Sequence, residues 1–413
     1  MKTRDLPQAN RAARKPDPAG SVYLAPGALV PAATPGARQG PAHVETPTAY
    51  DAVLLLAFGG PEGPDDVLPF LHNVTRGRGV PDERLEAVAA HYRHFGGVSP
   101  INSQTRALRA ALELELSRRG LGLPVHWGNR NSAPFIGDAV REAHAAGHHR
   151  LLAIATSAFS SYSSCRQYRE DLADALEDAG LGSELQIDKV RPFFDHPGFL
   201  EPIIDGVRGA VALVREIVPG LDISRELELL FCTHSIALAD AARSGPPKGE
   251  WGEGGAYVAQ HLAAAEAVVQ RLGHDSVPWR LVYQSRSGAP GVPWLEPDVN
   301  AALALLPAAG RRAVLLVPLG FVSDHLEVLW DLDVEALATA RDLGLAALRT
   351  PTPGVHPLFV AGLADLVEER LRGMLAARRP HLTDLGPWYD VCRRGCCESA
   401  RSGYRPALAG LIP

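Results

Sequence analysis

Three carboxylates recur at every fourth residue in one stretch of the chain: Glu327, Asp331 and Glu335. On a helix this spacing stacks them in a single row. Like charges so placed repel by roughly a few tenths of a kcal/mol per pair, so a helix gains nothing from the row. Leu326, Val328, Leu329, Leu332 and Val334 crowd the same segment. Acids among apolar neighbours suit the lining of an internal channel for a hard divalent cation. A solvated helix face is the plain alternative.

A second reactive group is His234, directly after the apolar run Glu228–Thr233. The carboxyl end of a buried strand is where open α/β sheets place ligands and catalytic groups, and histidine titrates near neutral pH. A core histidine with its hydrogen bonds satisfied is the other reading. Sulfur supplies a third set. The five cysteines are Cys165, Cys232, Cys392, Cys396 and Cys397, and the last three form CxxxCC. With no secretory signal ahead of them, clustered thiols point to metal or cluster ligation rather than disulfides. Cys232 lies inside an apolar run and reads as a core residue.

Two glycine-rich loops accompany these groups, Phe58-Gly59-Gly60-Pro61-Glu62 and Phe95-Gly96-Gly97-Val98-Ser99-Pro100-Ile101-Asn102. Each follows an expected strand or helix. Ser99 and Asn102 could bond a ligand's polar edge or cap the next helix.

The chain has 413 residues, 46% of them apolar and 21% charged, with a net charge of −6. That is a soluble composition, too long for one core, and two domains are expected. It excludes a nucleic-acid binder that works through a basic surface. The longest apolar runs, Val53–Phe58 and Ala313–Leu319, fall well short of the ~20 residues that span a bilayer, so no stable membrane insertion is expected. Residues 1–49 hold 8 Pro, 11 Ala and 4 Gly, and read as a disordered tail.

From Tyr50 onward, apolar strands alternate with amphipathic helices. Strands are expected at Ala52–Ala57, Arg150–Ala155, Leu185–Val190, Glu228–Thr233, Arg280–Gln284 and Ala313–Val317. Helices are expected at Glu83–His94, Gln104–Arg119, Gly137–Ala146, Arg166–Ala179, Gly198–Val218, Tyr257–Leu272 and Val334–Leu343, with a last one near Pro357–Arg378. Unbroken apolar strands separated by helices indicate parallel sheets covered on both faces. The pattern runs through twice. The expected fold is α/β: two similar doubly wound, Rossmann-like lobes with a cleft between them, and a Cys-rich tail.

The blocks LLLAFGGPE (54–62), HYRHFGGVSPIN (91–102), APFIGDAV (133–140), FCTHS (231–235), YQSRSGAPGVPWLEPDV (283–299) and VPLGFVSDHLEVLWDLDVE (317–335) resemble those of ferrochelatases. The resemblance spans about residues 50–376. It implies a chelatase-like first lobe over 50–190, joined by a C-terminal helix over 354–380. A second lobe would cover 191–353 and a cluster-binding tail 381–413. It implies that His234 and Glu327 face each other at the site of Fe²⁺ insertion, His234 as proton acceptor, with Asp331 and Glu335 leading inward to Glu327. Ser99, Tyr168, Tyr92 and Arg76 would contact the porphyrin. Some bacterial members carry a Tyr after the first strand; Phe58 stands there in this chain and cannot ligate. Cluster-bearing members hold a [2Fe–2S] centre with three C-terminal Cys and one internal Cys, here Cys392, Cys396, Cys397 and Cys165.

Cluster-bearing members with this composition look actinobacterial, which favours coproporphyrin III over protoporphyrin IX as substrate and a cytoplasmic location. A cobalt chelatase and a silent haem-binding module are further alternatives. The first is usually richer in His and leaves the tail Cys unexplained; the second does not need the His234–Glu327 pair. A transient contact with another enzyme of haem synthesis is left open.

Overall fold

The computed structural model describes residues 43–413, except 78, 248, 250, 274–276, 288–290, 402, 404 and 413, together with the backbone of Tyr23–Leu24. Among the described residues, ten strands form three sheets. Strand β1 (Tyr23–Leu24) pairs antiparallel with β10 (Leu411–Ile412). The first large sheet holds β2 (Ala52–Ala57), β3 (Val125–Asn129), β4 (Arg150–Ala155) and β5 (Gln186–Lys189). The second holds β6 (Leu227–His234), β7 (Trp279–Gln284), β8 (Ala313–Val317) and β9 (Ala346–Arg349). Their orders are β3-β2-β4-β5 and β7-β6-β8-β9, the same topology twice. Every pairing within both sheets is parallel.

Parallel strands must be crossed over by helices, which cover both faces. Residues of β2, β6 and β8 are buried almost without exception, so these strands read as apolar runs. In the first lobe, Ile136–Ala145 and Gln167–Asp178 cover one face with their own apolar cluster. The other face shares a large core with the second lobe, built around Ile101–Arg118, Pro197–Ile217, Gly255–Leu272 and Pro357–Leu371. The Pro357–Leu371 helix packs on both Pro197–Ile217 and Ile101–Arg118, and so binds the two lobes together. Among the described residues no helix is long and apolar enough to cross a membrane.

The expected boundary of the amino-terminal tail at residue 49 needs correction. Val44 is fully buried; its N–H donates to Asp390 at 2.8 Å, and its carbonyl accepts from Arg379 at 2.8 Å. The Thr48 N–H donates to the Arg370 carbonyl at 3.2 Å. A composition average over 49 residues hides a short segment whose backbone groups answer buried charges. The expectation of disorder over 1–42 lies outside the described residues, apart from the β1 backbone.

The joint between the lobes is ionic. Arg191, just beyond β5, donates to Asp195 at 2.6 Å, to Glu369 at 2.9 and 3.1 Å, and to the Pro380 carbonyl at 2.9 Å. None of these three side chains has more than 1% of its surface exposed. Removing one partner from such a buried set leaves charge uncompensated and costs about 3–5 kcal/mol. Arg191→Met is expected to lower the unfolding free energy by about that much in a denaturant titration; a change below about 1 kcal/mol would show that the ion set is neutral for stability.

Candidate functional site

Both sheets reverse strand order beside their first strand, the position at which open α/β sheets bind ligands. Strand β6 ends at that point in His234. Its Nδ1 lies 2.5 Å from the Ser235 carbonyl. A carbonyl only accepts, so Nδ1 carries the hydrogen and Nε2 of the neutral ring presents a lone pair. That Nε2 is 3.6 Å from a Glu327 carboxylate oxygen.

The strand end is braced from behind. The Tyr257 hydroxyl donates to the His234 carbonyl at 2.8 Å. His261 Nδ1 donates to the Tyr257 carbonyl at 2.7 Å, so its Nε2 accepts from the Thr233 hydroxyl at 2.8 Å. Burial holds His261 neutral, with its pKa down to about 3. Gly320 lets the loop after β8 cross here, since a Cβ on it would lie 2.2 Å from the Thr233 hydroxyl oxygen.

The acid row does form, on an unexpected scaffold. A short turn, Leu326–Val328, continues as a π-helix over Leu329–Ala336 and then as Leu337–Asp342. Sequence periodicity gave only an ordinary helix from Val334. Wide π turns recur at functional sites. Glu335 is exposed and accepts from the Trp330 indole N–H at 2.8 Å; Asp331 and Glu327 lie further in. Asp331 accepts from the Ser285 hydroxyl and from the Gln284 amide at 3.2 Å. The same amide reaches the Glu327 carbonyl at 3.3 Å. Ser285 holds a left-handed φ of 60°, uncommon for a residue with a side chain and a form of strain that clusters at working sites. Burial pushes the Asp331 carboxyl up to about 7; the Ser285 bond opposes this, and the charges of Glu327 and Glu335 add to it.

The opposite wall comes from the first lobe. Phe58, at the end of β2, meets Phe70 edge-on at 6.1 Å, and Phe70 lies 5.9 Å from Tyr92. Tyr92 shares an apolar cluster with Leu326, and burial pushes its phenol pKa up, reinforced by the charges of Glu327 and Asp331. His91 stacks flat on Trp330 at 3.9 Å. The Asp324 N–H donates to Gln104 at 2.9 Å. Thus the Asp82–His94 helix lies over the acid segment.

The remaining porphyrin candidates are placed differently. Arg76 stands exposed on the turn after Val67–Val74 and donates to Asn73 at 2.5 Å. Ser99 is 4% exposed and packs against Gly60; Tyr168 is 5% exposed, its ring 3.8 Å beneath the Arg130 guanidinium. Neither presents surface to the cleft in this structure. Asn102 does not cap its helix, whose N-cap is Pro100 without a side-chain bond. It clamps the glycine loop instead, donating to the Gly60 carbonyl at 2.9 Å and accepting from Asn129 at 3.2 Å.

Cys392, Cys396 and Cys397 are buried together, with Cys165 packed against them. All are free thiols. Cys165 and Cys396 donate to Cys392, which is thereby held well below the usual thiol range, and Cys396 meets Cys397 at 3.7 Å. Among the described residues no group of three or more His, Cys, Asp or Glu is arranged to hold a metal ion. Cys232 is buried in β6 with its thiol on the Leu230 carbonyl. The tail is also tied down by other means. Trp388 packs on Phe194 and Trp251, Arg379 pairs with Asp390 at 2.6 Å, and Arg405 pairs with Glu170 at 3.2 Å and with Asp174.

Sequence reasoning passed over Gln284, Ser285 and the Thr233–Tyr257–His261 brace. Gln284 ends β7 and Ser285 follows it, the same positional signal that singled out His234. The brace reaches across from a helix, and no local pattern marks it.

A family model described as ferrochelatase matches residues 50–371. A coproporphyrin III ferrochelatase of Leifsonia xyli is 61% identical over 386 residues, 92% of this chain and 99% of the relative. One of Tropheryma whipplei is 56% identical over 367 residues, 88% of this chain and 93% of the relative. A ferrochelatase of Rhodopirellula baltica is 46% identical over 365 residues, 88% of this chain and 97% of the relative.

Asp331 titrates near 7 in the fold and near 4 in an unfolded chain. Between those values the folded state holds the extra proton, so this group lowers stability progressively as pH rises from about 4 to about 7. Asp331→Asn removes that loss. Without iron, the stability of the variant relative to wild type should rise across this window and level off above it. Thermal unfolding at pH 5 and pH 8 reads the difference, and an unchanged difference would mean that the carboxyl is not held protonated.

Proposed function

The chain belongs to the ferrochelatase family, and from that premise we propose that it inserts Fe²⁺ into coproporphyrin III to give coproheme. The observation that carries the chemistry is the His234 lone pair held 3.6 Å from the Glu327 carboxylate. A free porphyrin bears two N–H hydrogens, and two protons leave for each iron that enters. His234 Nε2, freed by the Nδ1 bond to Ser235, accepts a proton. Glu327 sits across from it as partner for the iron or the proton. Asp331 and Glu335 continue the route outward; Asp331, with its pKa near 7, exchanges protons at neutral pH.

Phe58, exposed at the end of β2 and backed by Phe70 and Tyr92, offers an apolar surface to the macrocycle. Arg76 at the lip suits a propionate, since guanidinium pairs well with carboxylates. The coproporphyrin assignment follows the names of the relatives in Leifsonia xyli and Tropheryma whipplei. Coproporphyrin III bears four propionates and dissolves in water, consistent with a cytoplasmic reaction.

We further propose a [2Fe–2S] cluster on Cys165, Cys392, Cys396 and Cys397. Four clustered thiols suit such a centre. A buried guanidinium nitrogen of Arg169, without a hydrogen-bond partner, lies beside the set and suits an anionic occupant. When bound, the cluster supplies a one-electron couple and a tie between the tail and the first lobe.

His234→Ala is expected to cut iron insertion by roughly 100-fold or more while coproporphyrin still binds, because the acceptor goes and the cavity stays. Porphyrin absorbance under anaerobic Fe²⁺ separates binding from turnover. Near-normal turnover would remove His234 from the mechanism, and faster turnover of protoporphyrin IX would overturn the substrate assignment.

The purified protein should be red-brown with two irons and two acid-labile sulfides per chain. Replacing any one of Cys165, Cys392, Cys396 or Cys397 with Ser should bleach it, whereas Cys232→Ser should keep its colour. Zinc in place of iron would refute the cluster.

A further inference from the structure

Arg169 lies on the Gln167–Asp178 helix with its guanidinium buried. Its Nε donates to the Leu408 carbonyl at 2.5 Å, and its own carbonyl accepts the Leu408 N–H at 3.0 Å. Nη2 lies where a Cβ on Gly410 would come within 2.0 Å, so the strap over it needs a glycine there. Nη1 has no hydrogen-bond partner, and among the described residues no carboxylate pairs with the group. Arg166, one turn away, is unlike it: Glu170 answers its charge at 2.8 Å. A buried cation left without an anion is costly. The titratable groups beside Arg169 are the thiols of Cys392, Cys165, Cys396 and Cys397, whose ionised forms oppose the cost of burying its charge. Lys189, at the end of β5 and also buried, lines the same small cavity as Cys165 and Arg169.

Resting on the cluster reading above, we propose that Arg169 is the cluster's counter-charge and sets its reduction potential, with Lys189 as the second cation. Reduction moves one electron from an external donor onto one ferric iron, which becomes ferrous; no bond is made or broken. The centre becomes more negative by one charge, and a cation beside it in a low-dielectric interior favours that reduced form. Removing the cation makes reduction harder.

The test is a dithionite titration of the full-length, cluster-loaded protein with mediator dyes, followed by the visible absorption of the cluster. Arg169→Gln keeps a hydrogen-bonding side chain without the charge and should shift the midpoint to a more negative potential. Arg169→Lys should return most of the shift, and Lys189→Met should move the midpoint in the same direction as Arg169→Gln. An unmoved midpoint in Arg169→Gln with two irons still bound overturns the proposal, as do equal shifts in the Gln and Lys variants, which would indicate packing alone. If Arg169→Gln fails to load the cluster, Gly410→Ala decides. It displaces the guanidinium with its charge intact; a negative shift supports the role, and an unmoved midpoint refutes it. A wild-type chain without iron and sulfide defeats the cluster reading itself, before any variant is compared.

Discussion

A basic nitrogen and a carboxylate have to be held facing each other across a short gap. At 3.6 Å, His234 Nε2 and a Glu327 carboxylate oxygen are within ion-pair range. Side chains on mobile loops would not keep this arrangement. Both groups therefore sit on elements that cannot drift. His234 ends an eight-residue buried strand whose neighbours on both sides are parallel. Glu327 heads a helical segment whose backbone is held by Gln284 from the adjacent strand. The ring orientation is fixed by one carbonyl, and the backbone behind it by Tyr257.

Much of the remaining architecture serves that gap from a distance. The second lobe supplies His234 and the acid row, while the first lobe contributes Phe58, Phe70, Tyr92 and the helix that lies over the acid segment. The site carries unfavourable features: a left-handed Ser285, a buried Asp331 that resists ionising, and three acids in line. Such features persist only in a body that over-determines them. Here that body is the shared apolar core and the buried Arg191–Asp195–Glu369 set, which lock the lobes far from the reactive atoms.

The sequence was most informative where one physical demand dominated. Strands buried on both faces must be apolar throughout, and β2, β4 and β8 were legible to the residue for that reason. Strand β3 was missed because His126 and Asn129 break its apolar run, and β9 because it is short, half-buried and at a sheet edge. His234 could be picked out by its position at a strand end. The acid row could be picked out by spacing, although the π turn that carries it could not, since no residue type signals an i+5 hydrogen bond. Ser99 and Tyr168 show the limit of matching positions: residue type survives the comparison, but exposure is a property of the whole packing. The links from the tail to the body escaped notice because they join charges hundreds of positions apart.

Those distant links also govern the order of events at birth. Val44 is held by Asp390 and Arg379, and the four clustered thiols unite an internal helix with the last stretch of the chain. A ribosome builds from the amino end, so Val44 and Cys165 wait with their partners unmade until Asp390 and the cysteines at 392–397 have emerged. The lobes can fold in sequence, each around its own sheet. The sulfur chamber cannot exist before Cys397 has been made. Whatever that chamber holds is therefore acquired only after both lobes have been synthesised, however early the first of them folds.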